Sequence, residues 1–168
     1  MGHSTGCQDV MEYLVGPGHE IRPLINGVII QAPVSDRYAI LMHMSREEYN
    51  QSVTVTESMV AAGKGEDIVP SSVTQGIFGA PVTARRWLSL LSPNHDGEDD
   101  YFSSDLSDAQ LRRTFGSIPA ETPLCILYSG ADEHVPAEID KAELIRRWIG
   151  FIKGHVNLQH SGVIEGAS

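Results

Sequence analysis

The sequence predicts an α/β fold built on a parallel sheet, and three observations carry that reading. Strand-like and helix-like segments alternate along the chain, which is the signature of strands joined by helical crossovers. Two runs, Gly27-Val28-Ile29-Ile30-Gln31 and Leu124-Cys125-Ile126-Leu127-Tyr128, are apolar throughout rather than alternating. Such runs suit parallel strands buried on both faces. At the start, Gly2-His3-Ser4-Thr5-Gly6 is a G-x-S-x-G pattern, with an amphipathic segment from Cys7 to Val15 behind it. A pattern of this kind makes a strained strand-to-helix turn that lifts a serine hydroxyl above the end of a sheet. Alone it recurs by chance and equally describes a flexible chain end. Only Met1 precedes Gly2 here, whereas such a turn needs a strand in front of it.

Taken in order, the first helix is broken by Gly16-Pro17-Gly18, and Gly27 to Gln31 is the first clear buried strand. Ala32-Pro33-Val34-Ser35-Asp36-Arg37 follows as the loop at its carboxyl end, where α/β sheets keep their functional groups. Ser45 caps a helix from Arg46 to Ala62, with Glu47 and Glu48 in its first turn. Thr83 to Leu91 is a second helix, carrying Trp87, Leu88 and Leu91 on one side, and Ser107 caps a third from Asp108 to Thr114. Leu124 to Tyr128 is the next buried strand. Pro136 opens a helix reaching about Lys153, whose Leu144, Ile145, Trp148, Ile149 and Ile152 form an apolar face. A weak strand spans Asn157 to Ile164. No internal repeat or low-complexity segment interrupts this order.

Length and composition narrow the function. The 168 residues suffice for one domain with a real core. A net charge of -10 and the lack of a basic stripe argue against nucleic acid as a partner. No apolar run has the length of a membrane span, and the start does not read as a signal peptide. Cys7 and Cys125 read as buried thiols of a reducing compartment, so a cytoplasmic location is expected. The sequon Asn50-Gln51-Ser52 is then expected to be idle. Neither Gly16-Pro17-Gly18 nor Gly63-Lys64-Gly65 completes a nucleotide-binding pattern. The acidic stretch 96–100 lacks EF-hand spacing and reads as a solvated loop. His19, His43, His95 and His155 show no ligand-like spacing, so no metal site is expected.

A serine becomes a useful nucleophile only when a base takes its proton and an acid orients that base. In α/β-hydrolases these follow in the order Ser, Asp or Glu, His. Ser4 fills the first place. Asp132, just past a buried strand and in the loop before a helix, fills the second; Asp36 is the rival acid, and the bland reading of Asp132 is a turn residue.

Four stretches carry a broader likeness: 2–9, 31–37, 99–106 and 128–136, the last reading Tyr128-Ser129-Gly130-Ala131-Asp132-Glu133-His134-Val135-Pro136. With them the chain resembles the fungal α/β-hydrolase family that includes the siderophore (fusarinine-type) esterases. The resemblance implies an α/β-hydrolase fold, no cofactor, and cleavage of a small-molecule ester through an acyl-serine. It further implies Ser4 as nucleophile, Asp132 as acid, and residues 42–119 as a helical cap inserted in a 1–168 domain.

Two parts of that family pattern are missing from these residues. The strands that lead into the serine turn are absent, and with them one oxyanion-hole donor, leaving the N–H of Thr5. The catalytic histidine, which in the family follows the last strand, is expected just past Ser168. His160 precedes that strand, His134 faces away from catalysis, and His3 beside the nucleophile points its ring elsewhere. The chain is therefore expected to be a partial α/β-hydrolase domain, inactive or nearly so alone, with self-association through an exposed sheet edge. The competing expectations are a non-catalytic binding module derived from a hydrolase, and a thioesterase- or lipase-type activity on the same fold.

Overall fold

The computed structural model describes residues 1–95, 97 and 100–168 and divides the chain into two compact units, Met1–Ser35 with Tyr101–Ser168, and Asp36–Asp100. The first unit holds a parallel sheet of β1 (Gly2–His3), β2 (Val28–Gln31), β3 (Leu124–Ser129) and β4 (Gly162–Ile164), in the order β1-β2-β3-β4. Gly2 lies against Ile30, Ile30 against Ile126, and Tyr128 against Val163. Because all three strand pairings are parallel, all four carboxyl ends open onto the same edge.

One face of this sheet is dry. Val28, Ile30, Leu124, Ile126 and Tyr128 are buried against Cys7, Met11 and Leu14 of α1 (Gly6–Val15) and Leu144, Ile145 and Trp148 of α7 (Lys141–Ile149). Trp148 stacks on Phe115 with centroids 5.3 Å apart and on Tyr128 at 6.0 Å, while Phe102 meets it edge-on at 5.4 Å. Burying side chains of this size supplies most of the folding drive. The other face is thinner. Ile29, at the centre of β2, stays 39 % exposed, although its run reads as buried on both faces. Among the described residues nothing packs fully over it.

The last helix and last strand are shorter than the periodicity suggests. Helix α7 begins at Lys141, not at Pro136, because the Asp140 side chain accepts the Glu143 N–H and so caps it there. It stops at Gly150. Residues 157–161 form a turn, in which the Asn157 carbonyl accepts the N–H groups of His160 and Ser161, and only Gly162–Ile164 joins the sheet.

The second unit is helical, with α2 (Asp36–Leu41), α3 (Arg46–Ala61), α4 (Ser71–Thr74) and α5 (Ala84–Leu91) around a core of Ile40, Tyr49, Val53, Trp87 and Leu91. Ser45 and Glu48 close a capping box at the start of α3. Those hydrogen bonds from Ser45 hold the Glu48 carboxyl below its ordinary pKa. Inside the unit, Trp87 Nε1 donates to Ser52 Oγ at 3.1 Å, and Ser52 Oγ donates to the Tyr49 carbonyl at 2.8 Å. This chain of bonds satisfies polar atoms that burial would otherwise leave at a cost. The boundaries differ from the 42–119 insertion of the sequence reading. Tyr101, Phe102, Leu106, Leu111, Phe115 and Ile118 pack in the core of the sheet unit, together with α6 (Asp108–Arg113), whose capping box joins Ser107 and Gln110. The acidic stretch 96–100 lies mostly outside the described residues. Among the described residues no helix is long and apolar enough to cross a membrane.

Candidate active site

The site is built by the turn between β1 and α1. Ser4 stands at φ 53°, in the left-handed region that a side chain enters only at a cost. Its N–H donates to the Gln31 carbonyl at 3.0 Å, and its own carbonyl accepts the Cys7 N–H at 3.0 Å, so the strand passes into the helix within two residues. A Cβ at Gly2 would stand 2.4 Å from the Gly6 carbonyl oxygen and 2.8 Å from the Cys7 Cα. Only glycine lets the two arms of the turn approach so closely. Ser4 is thereby held at the carboxyl edge of the sheet, half-buried, with exposed Thr5 as the N-cap residue of α1. The amide N–H groups of a first helical turn point back toward the helix start, where the dipole favours negative charge.

Asp132 reaches the same edge from β3. Gly130 N–H donates to Ile164 O at 2.9 Å and Ala131 N–H to Ala167 O at 2.8 Å, which ties the loop to the segment after β4. A Cβ at Gly130 would lie 2.9 Å from Ile164 O, so the approach again demands glycine. The Asp132 carboxylate accepts the His134 N–H through Oδ1 at 2.9 Å, and among the described residues Oδ2 has no hydrogen-bond partner. Strands β1 and β3 flank β2, so two interstrand steps, about 10 Å, separate the strand that leads to Ser4 from the strand that leads to the Asp132 loop.

The histidines of this unit stand elsewhere. The His155 carbonyl accepts the Leu124 N–H and the His160 carbonyl accepts the Cys125 thiol, which puts both at the amino end of β3. That end lies about 16 Å along the strand from its carboxyl edge. His134 is exposed beside Glu133, and His3 is exposed on β1. Asp36, the rival acid, opens α2 in the helical unit.

Several supporting contacts could not be read from the chain. Gln8, 3 % exposed, donates to the Val34 carbonyl at 3.0 Å and accepts the Tyr101 N–H, fixing the loop after β2 beneath the turn. Ser35 and Ser103 share a buried hydrogen bond of 2.7 Å. Ala32 at φ 47° turns the chain sharply off β2. In the helical unit His95 pairs with Asp100, which also faces Arg37 at 3.9 Å. No local pattern marks these pairings, because their partners lie far apart along the chain.

Cys7, immediately behind the turn, is fully buried, and burial pushes its thiol up from 9.0 to about 12. The folded state thus favours the neutral thiol, so this group's contribution to stability is complete below about pH 9 and is lost as pH climbs from there toward 12. At pH 8 iodoacetamide is expected to alkylate Cys125 in the native chain and Cys7 only after unfolding. Two thiols reacting together in native protein would contradict this.

A parallel sheet with helical crossovers and a G-x-S-x-G turn off its edge strand is an α/β-hydrolase fold. A siderophore hydrolase from Aspergillus fumigatus shares it with a TM-score of 0.74 at 40% identity, over 100% of this chain and 57% of its own. The chain belongs to the family described as "Protein of unknown function (DUF1749)", which matches residues 1–168. An esterase of Emericella nidulans is 38% identical over 193 residues, covering 88% of this chain and 51% of its own length. A fusarinine C esterase of Aspergillus fumigatus is 37% identical over 207 residues, covering 100% and 58%. The chain spans about half the length of the curated relatives it matches.

Proposed function

We propose that these residues carry the nucleophile and the acid of a serine esterase whose substrate is a siderophore-type ester. The observation that carries the reading is the strained Ser4 turn, at φ 53° between two glycines, opening onto the same sheet edge as the Asp132 loop. Support for the substrate comes from the relatives named as a fusarinine C esterase and a siderophore hydrolase. Ser4 Oγ attacks the ester carbonyl while an imidazole takes its proton, and Asp132 Oδ2 orients that imidazole. The Thr5 N–H stabilises the tetrahedral oxyanion. The imidazolium then protonates the departing alcohol, and water, activated by the same base, releases the acid from the acyl-serine.

The base is read as a histidine outside these residues, since His155 and His160 stand at the amino end of β3 and His134 and His3 face solvent. The 168-residue chain alone is accordingly inactive or nearly so. Loss of one oxyanion donor costs about 10²–10³ in rate, and loss of the base on the order of 10⁶. Fluorophosphonate labelling tests this. The isolated chain should label slower by about 10³ or more than the same residues grafted in place of the matched stretch of the Aspergillus fumigatus siderophore hydrolase. Brisk labelling of the isolated chain would mean that a base lies within it.

A second reading, a non-catalytic module that associates with itself, is favoured by the exposure of Ile29 and the open edge of β1. A defined oligomer in sedimentation, together with a grafted hydrolase that stays inactive, would select it.

A further inference from the structure

We propose that Lys141 is a positioning residue whose ammonium clamps the loop presenting Asp132, an inference that rests on reading Asp132 as the acid. Lys141 is the first residue of α7, where the helix dipole disfavours a cation. Instead of turning to solvent, its Nζ reaches back to the end of β3. It donates to the Ser129 carbonyl at 3.1 Å and to the Gly130 carbonyl at 2.8 Å. The same ammonium stands 5.9 Å from the centroid of the Tyr128 ring, which adds a cation–π contribution. Hydrogen bonds from a charged donor are about twice as strong as neutral ones, so two of them outweigh an unfavourable dipole.

The consequence is a loop gripped on both sides. Its first N–H groups, of Gly130 and Ala131, go to Ile164 O and Ala167 O, and its first carbonyls go to Lys141. Asp132 follows at once, its Oδ1 engaged by the His134 N–H. Lys141 and Asp132 line one cleft of about 590 Å³, with Val135 and Ile139 as its apolar wall. Lys141 therefore acts on where the carboxylate sits, through the backbone, without touching the reacting atoms.

Hydrogen exchange on the full 168-residue chain tests the clamp. Lys141→Met keeps the apolar stem and removes the donors. The amides of Gly130, Ala131 and His134 should then exchange about tenfold faster or more, with Ile126 and Tyr128 unchanged. The His134 amide reports the Asp132 side chain directly, because that is its acceptor. Unchanged protection at His134 overturns the proposal, and so does equal loss in β3, which would mark a general loss of stability. Should Lys141→Met fail to fold, acetylation of the unsubstituted chain decides. Lys141 should react about tenfold more slowly than exposed Lys64 and Lys153, and equal rates overturn the clamp. The acid reading is tested apart from this. Full ester cleavage by Asp132→Asn in the grafted hydrolase would sink the acid and leave the exchange result standing.

Discussion

Ser4→Ala in the grafted hydrolase is expected to lower kcat by about 10⁶, the scale on which a serine hydrolase loses its nucleophile. The substitution removes one hydroxyl and leaves the turn in place. Alanine at φ 53° bears the same left-handed strain as serine, and among the described residues the Ser4 hydroxyl has no hydrogen-bond partner to lose. Thermal stability should therefore stay within about 0.5 kcal/mol of the parent. Ser4→Gly sharpens the comparison, since it relieves the strained φ while abolishing the chemistry. Equal or higher stability with no turnover is the expected pair of results. Ester cleavage that survives Ser4→Ala within a factor of ten would place the nucleophile elsewhere.

The second large effect is expected at Asp132. Asp132→Asn should reduce kcat by about 10³–10⁴ with little change in KM, because a neutral amide no longer holds the imidazole in its productive tautomer or balances its charge. Asparagine can still accept the His134 N–H through its side-chain oxygen, so the loop conformation survives. That retained turn separates an electrostatic loss from a folding defect. Native-like exchange at the Gly130 and Ala131 amides alongside the lost rate would complete the case. Near-full activity would return Asp132 to the role of a turn residue.

Much of the scaffold was legible because it is local. The caps at Ser45 and Ser107 are read from the sequence, and the structure completes each into a capping box with Glu48 and Gln110. The strands β2 and β3 follow from continuous β-branched and apolar runs, and they pair in parallel, Val28 against Leu124. The sequence puts the start of α7 at Pro136, whereas the realised bond from the Glu143 N–H to Asp140 sets it at Lys141. Residues 101–119 are harder to place from the sequence for a different reason. Their apolar spacing says that they are buried, but not against which layer, and Phe102 and Phe115 find Trp148 from far along the chain.

What the amino-acid order by itself determined is the set of chemical parts: a serine between two glycines, an aspartate after a buried strand, and the amphipathic segments that separate them. Tertiary structure alone decided which of those parts share an edge, that Lys141 bends back onto two carbonyls, and that Ile29 remains half open on a strand written for burial on both sides. The division has a physical cause. Helix caps, tight turns and strand runs are settled by interactions over a few residues, whereas edges, clamps and covered faces depend on contacts between segments tens of residues apart, whose free energy no local pattern encodes.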